Sequence, residues 1–291
     1  MDAFDIDGHI ARMWTYPIKS CAGIALTEAR LLPTGLEHDR RFMLVDGQGE
    51  FLTQRSLPRM ALVQPQLPAD GTMQVSAPGM PTLAVELDFD GPERTVQVWD
   101  DRVQSLAAPA AVNQWFSDFL GQDCALVRFA PGERRLASAK WTRGVEAPTQ
   151  FADGYPLLVI TQAAVEELNE RLVRAGHAPV GPERFRPNLL IGGWQAHDED
   201  RVDECAIRLD AAGDAWLRLA LVKPCARCPI PDIDPRTAES HPSVSDTLRG
   251  YRQDARLDGA ITFGMNAIAL QADGPVELAV GQAVGGMLQF D

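Results

Sequence analysis

The amino-acid sequence predicts a mainly β protein with helices inserted between its strands, an α+β class. Short apolar or alternating runs recur along the chain, and turn signals such as Asp46-Gly-Gln-Gly49 and Asp90-Gly-Pro92 separate them. The 24 glycines and 21 prolines fit a chain with many turns. Because strands predominate and do not alternate regularly with helices, we expect one or two β barrels with appended helices rather than a doubly wound sheet.

The first third of the chain is predicted to consist almost entirely of strands. Its runs are continuously apolar or alternate between apolar and polar residues, as in strands with one or both faces buried. The predicted strands of this part are His9–Tyr16, Ile24–Leu32, Arg41–Val45, Met60–Gln66, Met73–Ala77, Leu83–Leu87 and Thr95–Trp99.

Three segments have the apolar spacing of helices. The first helix is predicted between Pro109, which suits a first turn, and Gly121, which suits a stop. The second runs from the candidate N-cap Thr161 to about Ala175, and a short third helix follows Pro242. Further strands are predicted at 125–129, 157–160, 188–192, 206–209 and 215–222, and a terminal hairpin at 267–271 and 276–280.

The charge balance excludes several classes of partner. The 291 residues include 27 Lys and Arg against 40 Asp and Glu, a formal net charge of −13. Nucleic acids and anionic membrane surfaces bind to basic surfaces, so neither is expected as a partner. An anionic ligand would need a local cluster of cations within this acidic protein.

The sequence also predicts a cytoplasmic location. No run approaches the ~18–20 apolar residues of a membrane span. The acidic start, from Met1 to Asp7, lacks the basic and then apolar order of a signal peptide. Five cysteines are an odd number in a long chain, which argues against a secreted protein with a disulfide framework.

Cationic side chains occur in three turn-like segments. Lys19 and Ser20 follow the first predicted strand, Arg41 begins another, and Arg186 and Asn188 lie at the start of the strand at 188–192. Guanidinium and ammonium groups are the usual protein ligands of phosphate. Each segment by itself is more often part of a surface ion pair, so none identifies a site alone.

A Cys-x-x-Cys pair, Cys225 and Cys228, encloses Arg227. A structural zinc site would need further Cys or His ligands at suitable spacing, and none stands out. A thioredoxin-like redox pair would need a helix after the cysteines, whereas the prolines that follow favour extended chain. A single thiolate bound to a soft metal or cofactor is the third interpretation, favoured by the nearby positive charge. Two buried, inert thiols are the fourth.

Six segments taken together resemble the MOSC family. They are YPIKSCAGI (16–24), HDRRFMLVD (38–46), FADGYPLLVIT (151–161), RFRPNLLI (184–191), KPCARCPIPDIDPRT (223–237) and FGMNAIAL (263–270). Their order is similar to that in two-part members of amidoxime-reducing type. The resemblance implies an N-terminal β-barrel-like region at 1–125 and a MOSC-type β-barrel domain at 126–291, with strands near 10–45 contributing to the site. The polar stretch 131–150 is expected to be a linker or mobile loop.

The resemblance also implies a molybdenum cofactor, a pyranopterin dithiolene with a terminal phosphate. The second cysteine of the Cys-x-Arg-Cys segment, here Cys228, matches the family's metal ligand and catalytic centre. The positions that match cofactor-binding residues are Lys19, Ser20, Arg41, Asp153, Gly154, Tyr155, Arg186, Asn188, Ala226, Arg227 and Asn266. Ala226 stands in place of a serine of animal relatives, and Asn266 in place of an aromatic residue, which concerns substrate preference more than cofactor binding.

The activity implied by the resemblance is reduction of N-hydroxylated compounds, such as amidoximes, hydroxylamines and N-hydroxylated bases. Each turnover consumes two electrons and two protons and releases water. Asp232 and Asp234 are candidates for relaying protons, although capping of turns is the commoner role of such residues. The chain ends at Asp291 without further cysteines, so we expect electrons from a separate protein, such as a ferredoxin or a flavin reductase.

Two other hypotheses stay open on the sequence. The protein could carry the molybdenum cofactor or its sulfur, as MOSC domains of cofactor sulfurases do, without reductase turnover. It could also be a β barrel that no longer binds a cofactor. General descriptions of the family include pyridoxal phosphate, but no Schiff-base lysine site is recognisable in this chain.

Overall fold

The computed structural model describes residues 4–210, 215–270 and 274–289. Strands greatly outnumber helices in these residues, which confirms the predicted mainly β class with inserted helices. Within the same ranges, no helix is both long enough and apolar enough to cross a membrane.

The described residues before the first α-helix form ten strands and one 3-10 helix, Pro58–Leu62. The strands are β1 (Ile6–Thr15), β2 (Ile24–Leu26), β3 (Glu28–Leu32), β4 (Gly35–Leu36), β5 (Phe42–Val45), β6 (Gln64–Gln66), β7 (Thr72–Ser76), β8 (Leu83–Glu86), β9 (Glu93–Val98) and β10 (Asp101–Ala107).

The α-helices in the described ranges are α1 (Ala110–Leu120), α2 (Gln162–Arg174) and α3 (Ser243–Arg249). The chain leaves α1 at Gly121, whose φ of 72° lies in the left-handed region that glycine adopts easily. The predicted N-cap of α2 is confirmed, because the Thr161 side chain accepts a hydrogen bond from Ala164 N at 3.3 Å.

The described residues after α1 form eleven further strands. They are β11 (Ala125–Phe129), β12 (Arg135–Leu136), β13 (Pro148–Thr149), β14 (Leu157–Thr161), β15 (Leu189–Gly192), β16 (Val202–Arg208), β17 (Trp216–Ala226), β18 (Gln253–Asp254), β19 (Ala260–Ala269), β20 (Val276–Ala279) and β21 (Ala283–Leu288). Short 3-10 helices lie at Pro182–Phe185, Asp198–Asp200, Ile230–Asp232 and Ala255–Leu257.

Seven strands close into a barrel. Their order is β14-β15-β1-β21-β16-β17-β19, and β19 pairs back with β14, with Ala267 opposite Leu157. The first strand of the chain therefore lies in the barrel, between β15 and β21. Its buried side chains Ile10 and Met13 share one apolar core with Ile207 on β16.

The N-terminal part of the molecule contains a four-stranded sheet, β5-β11-β10-β9, and a three-stranded sheet, β6-β7-β8. Helix α1 buries Trp115 and Phe116 in a core that also holds Phe42 of β5. Residues 16–42 connect this part to the barrel, and Ile18 forms a bridge with Phe42 at the junction. This path places the turn after β1 between the two parts.

Three features differ from the sequence predictions or extend them. The prediction of a terminal hairpin is wrong, because β19 pairs with β17 and β14, whereas β20 pairs with β3. Residues 271–273, which belong to the predicted turn, lie outside the described residues. The stretch 131–150 contains a short pairing of β12 with β13. The division of the chain at residue 125 stays a prediction; β11 begins at that residue and pairs with β5 and β10.

Candidate functional site

An open cleft is lined by residues of both the N-terminal part and the barrel. Most residues that the sequence singled out come together here, although they are far apart in the chain. Those that line the cleft are Lys19, Ser20, Asp153, Gly154, Tyr155, Arg186, Asn188, Ala226, Arg227, Cys228 and Asn266. Three others, Arg41, Asp232 and Asp234, do not line it.

The Cys-x-x-Cys segment leaves the barrel at this cleft. Arg227 N, just after β17, donates a hydrogen bond to Ile261 O at 2.8 Å and so holds the segment against β19. Cys225 and Cys228 are free, half-buried and part of the cleft lining. The chain then forms the short 3-10 helix Ile230–Asp232, not the α-helix of a thioredoxin-like pair. In the described ranges no group of three or more Cys, His, Asp or Glu could hold a metal, so structural zinc gains no support.

The Arg227 guanidinium brings a positive charge next to the thiols. Its Nη1 lies 3.0 Å from Cys225 Sγ, and its Nη2 donates to Phe185 O at 2.9 Å. Its Nε is buried and has no hydrogen-bond partner among the described residues. A buried donor without a partner is energetically costly, so an acceptor from a ligand would be favourable at this position.

Lys19 brings a buried ammonium group to the cleft. Its side chain is only 5% exposed, its Nζ donates to Phe151 O at 2.9 Å, and it forms an ion pair with Asp153. Burial lowers the pKa of Lys19, and the negative charge of Asp153 opposes that shift. Ser20 follows with a φ of 64°, so the chain turns sharply at the cleft.

The arginine of the segment 38–46 that lines the cleft is Arg40, and the assignment of Arg41 to cofactor binding stays a prediction. Arg40 forms an ion pair with the buried Asp39, and its Nη2 donates to Arg186 O at 3.1 Å. Arg41 lies in a separate cleft of the N-terminal part, where it pairs with Asp88. Two adjacent arginines in one motif point in different directions here, and the sequence offered no basis for choosing between them.

Two cleft arginines stack on one buried aromatic ring. The guanidinium carbons of Arg186 and Arg40 lie 4.3 Å and 4.4 Å from the centroid of the Tyr16 ring. Gly23 allows this position of the ring, because a Cβ there would lie 2.4 Å from Tyr16 Cε1. Burial, reinforced by the charge of Arg40, lowers the pKa of Arg186 to about 10. Its Nη2 is buried without a hydrogen-bond partner in the described part of the chain.

The two predicted amides hold the chain around the cleft. Asn188 Oδ1 accepts hydrogen bonds from Leu158 N at 3.1 Å and from Arg40 Nη1 at 3.2 Å, and its Nδ2 donates to Trp14 O at 3.2 Å. Asn266 Nδ2 donates to Lys223 O at 3.1 Å. Asn188 thereby connects β1, β14 and a cleft arginine.

Three further predicted residues also line the cleft, namely Gly154, Tyr155 and Ala226. Gly154 and Tyr155 lie in the loop before β14. Burial raises the pKa of Tyr155 to about 12, so its hydroxyl stays protonated at neutral pH. Ala226 is exposed and has only its methyl and backbone groups to offer.

Asp232 and Asp234 do not line the cleft, and their assignment as proton relays stays a prediction. Asp232 is buried and accepts two hydrogen bonds from Ser245, from N at 2.9 Å and from Oγ at 2.6 Å. It thereby satisfies a backbone donor in the first turn of α3. Asp234 pairs with Arg184 at 3.0 Å. Burial opposes ionisation of Asp234, but hydrogen bonds from Arg236 and the charge of Arg184 hold its pKa below the ordinary value.

Several cleft residues had not been assigned to the site from the sequence. They are Arg40, Phe51, Thr53, Arg55, Trp99, Ala152, Leu157, Leu158, Phe185, Cys225 and Ile230. Arg40 and Cys225 lie next to predicted residues in motifs that had been recognised. Phe51, Arg55 and Trp99 belong to turns of the N-terminal part that share no motif, so only the folded chain brings them to the site.

The lining of the cleft is strongly cationic. Among the described residues, its positively charged members are Lys19, Arg40, Arg55, Arg186 and Arg227, and its negatively charged member is Asp153. This is the local cluster that an anionic ligand needs in a protein of net charge −13. The unpartnered nitrogens of Arg186 and Arg227 and the half-buried thiol of Cys228 fit a cofactor that combines a phosphate with a thiolate-bound soft metal.

A closed β barrel joined to a smaller β part, with a cationic cleft and a pair of thiols, defines the class of this protein. Comparison with protein families agrees with that class. The MOSC N-terminal beta barrel domain matches residues 7–123, and the MOSC domain matches residues 146–285. The chain belongs to the MOSC family.

Two kinds of protein are among the similar sequences. The chain is 32% identical to "Mitochondrial amidoxime-reducing component 1" of Mus musculus, over 93% of this chain and 80% of the relative. It is 29% identical to "Molybdenum cofactor sulfurase" of Homo sapiens, over 94% of this chain. The chain spans only about a third of the sulfurase, 32% of its length. Among solved structures, the YUAD protein from Bacillus subtilis covers 98% of both chains at 10% identity and a TM-score of 0.44.

Proposed function

We propose that this protein is a molybdenum-cofactor-dependent oxidoreductase that reduces N-hydroxylated compounds, such as amidoximes, hydroxylamines and N-hydroxylated bases. The observation that carries the proposal is the half-buried Cys228 in a cleft whose lining, among the described residues, has five cations and one carboxylate. The similarity to an amidoxime-reducing component over 93% of the chain supports this choice of reaction. Electrons would come from a separate donor protein, a ferredoxin or a flavin reductase.

Different residues of the cleft would bind different parts of the cofactor. Cys228 would bind the metal through its thiolate, which is a soft ligand. Lys19, Arg40 and Arg186 would bind the anionic part, because ammonium and guanidinium groups suit phosphate oxygens. Arg227 lies between the two cysteines in sequence and would balance negative charge close to the metal.

The cofactor, when bound, supplies the two-electron redox chemistry, and the protein supplies binding, orientation and electrostatics. Asp232 and Asp234 are engaged elsewhere, so we assign the two protons of each turnover to solvent that enters the open cleft. The stacking of Arg40 and Arg186 on Tyr16 fixes both guanidiniums before a ligand arrives, which lowers the entropy lost on binding.

A second candidate function is transport of the cofactor or of its sulfur without turnover. It is favoured by the similarity to molybdenum cofactor sulfurase over 94% of this chain. Such a carrier would use the same cations and the same thiol, so the architecture of the cleft suits both functions. Turnover is the property that separates them.

The first test exchanges the two cysteines of the cleft one at a time. Protein made in a host that synthesises the cofactor is analysed for molybdenum per chain. We expect Cys228→Ser to lower the molybdenum content by at least about tenfold, because the metal loses its protein ligand. Cys225→Ser, the matched control in the same segment, is expected to keep most of the metal. Full occupancy in Cys228→Ser would overturn the assignment of the ligand.

The second test measures turnover. Cofactor-loaded protein, given an artificial electron donor, is expected to convert benzamidoxime to benzamidine. Tight cofactor binding with no reduction of any amidoxime or hydroxylamine would instead support the carrier function. A preparation free of molybdenum from the same host would contradict both.

A further inference from the structure

The cleft of the N-terminal part that contains Arg41 is a second cationic cleft. Among the described residues, it shares no lining residue with the cleft that contains Cys228. The charged residues of its lining are Arg41, Arg128, Arg134, Arg135, Asp88 and Glu133. Four arginines thus face two carboxylates, so positive charge is concentrated at a second place on a protein of net charge −13.

Three of these six charged groups are engaged by other parts of the chain. Arg134 pairs with Glu146, and Arg135 pairs with Asp101 at 2.7 Å. Neither of those carboxylates lines the second cleft. Glu133 accepts hydrogen bonds from two backbone N–H groups, at 2.7 Å and 2.8 Å. The charged groups that remain for a ligand are two guanidiniums and one carboxylate.

The two remaining guanidiniums converge on one oxygen atom. Arg41 Nη2 donates a hydrogen bond to Asp88 Oδ1, and Arg128 Nη1 lies 3.4 Å from the same oxygen. The Arg128 side chain is only 4% exposed, and its Nη2 donates to Phe89 O at 2.9 Å. The Asp88 side chain, in the turn after β8, is 80% exposed. Because exposed ion pairs contribute little stability, this carboxylate can leave the two arginines at small cost.

Arg128 is not fully compensated by its neighbours. Burial, reinforced by the charge of Arg41, lowers the pKa of Arg128, and the charges of nearby carboxylates offset that shift only in part. Its Nε is buried without a hydrogen-bond partner in the described part of the chain, as is Oγ1 of Thr149, which also belongs to the cleft lining. Buried polar groups without partners are costly, so an anion with several acceptor atoms is favourable here.

We propose that the second cleft binds a phosphate group, which takes the place of the Asp88 carboxylate between Arg41 and Arg128. A phosphate monoester has three free acceptor oxygens and about two negative charges, so it can bind both guanidiniums at once. Inorganic phosphate and the terminal phosphate of a small organic molecule present this same chemistry. The site is separate from the cleft assigned to the molybdenum cofactor, and the inference does not depend on the proposed function.

The test titrates the full chain with inorganic phosphate in a calorimeter. Asp88→Asn removes the charge that competes with the ligand and is expected to strengthen phosphate binding about fivefold to tenfold. Arg41→Gln removes one guanidinium and is expected to weaken phosphate binding at least about tenfold. Since Asp88 is exposed, its replacement leaves the fold intact, and thermal unfolding of each variant checks this.

Two control variants assign the binding to the second cleft. Arg30→Gln replaces a half-exposed arginine that also pairs with a carboxylate, Glu37, but lines neither cleft. It is expected to leave phosphate affinity unchanged. Arg186→Gln removes a cation of the cofactor cleft, so it should abolish only phosphate bound there and leave the binding that Asp88→Asn strengthens.

Titrations with adenosine monophosphate and with acetate identify the ligand. Tighter binding of adenosine monophosphate than of inorganic phosphate, with the same response to both substitutions, supports an organic phosphate as the ligand. Equal or weaker binding supports inorganic phosphate. Acetate that binds as tightly as phosphate would overturn the assignment of a phosphate group. The site itself is refuted if neither the unaltered chain nor Asp88→Asn binds phosphate, or if Asp88→Asn or Arg41→Gln leaves the affinity unchanged.

Discussion

Arg184 and Arg186 lie two residues apart but have opposite electrostatic surroundings. Arg184 faces away from the cleft and pairs with Asp234 at 3.0 Å. Arg186 lines the cleft and forms no ion pair with a carboxylate in the described residues; its contacts are Cys21 O, the Tyr16 ring and Arg40. A cation that is not neutralised by the protein is available to a ligand, and this difference separates Arg186 from Arg184.

A buried carboxylate outside the cleft lining, Glu199, shows the alternative to ligand binding. Glu199 is completely buried, and its Oε2 has no hydrogen-bond partner among the described residues. Burial, together with the charge of Asp200, raises the pKa of Glu199 to about 7. A carboxylate in an unfavourable site can take up a proton and so lose its charge. A guanidinium remains charged in practice, so a bound anion stabilises it.

The largest effect is expected from replacing Arg186, with a replacement of Arg184 as the comparison. Arg186→Gln should weaken cofactor binding by about 1,000-fold, because one partner of a buried charge contact is removed. Arg184→Gln is the matched control and should keep the cofactor, since that side chain lies outside the cleft. Molybdenum content after dialysis measures both. Equal losses in the two variants would break the distinction between them.

An intermediate effect is expected at Glu199, which should make the free energy of unfolding depend on pH. Its pKa is raised in the folded state from an ordinary 4.5 to about 7, so between these values the folded chain holds a proton that the unfolded chain releases. The contribution of Glu199 to the free energy of unfolding therefore falls by about 3 kcal/mol in total as pH rises from 4.5 to 7. Urea unfolding at pH 5 and pH 8 measures the difference, which Glu199→Gln should reduce. An identical pH dependence in that variant would contradict the role of Glu199.

The smallest effect is expected at Asp232. Asp232→Asn weakens the two hydrogen bonds from Ser245 and should lower the free energy of unfolding by about 1 kcal/mol. The pH–rate profile of the loaded enzyme should not change, because this carboxyl group lies outside the cleft. A shifted profile at unchanged stability would restore Asp232 as a proton relay.

Much of the local structure could be predicted from the sequence. The strand at 125–129, the helix from Thr161 and the helix after Pro242 follow from apolar spacing and from capping residues, which act within a few positions of the chain. Strand pairing could not be predicted in the same way. The 267–271 and 276–280 segments resemble a hairpin locally, but β19 pairs within the barrel and β20 pairs with β3, because closure of the barrel decides the partners.

The same division applies to the site. The sequence by itself determined the acidic charge, the Cys-x-Arg-Cys segment, and the cations Lys19 and Arg186, since these are properties of composition and of short motifs. Only the tertiary structure decided that Arg40 rather than Arg41 reaches the cleft and that Trp99 belongs to its lining. The physical reason is that direction, burial and counter-charge depend on neighbours far apart in the chain. No motif records that Arg184 pairs with Asp234 while Arg186 has no carboxylate partner in the described part of the chain.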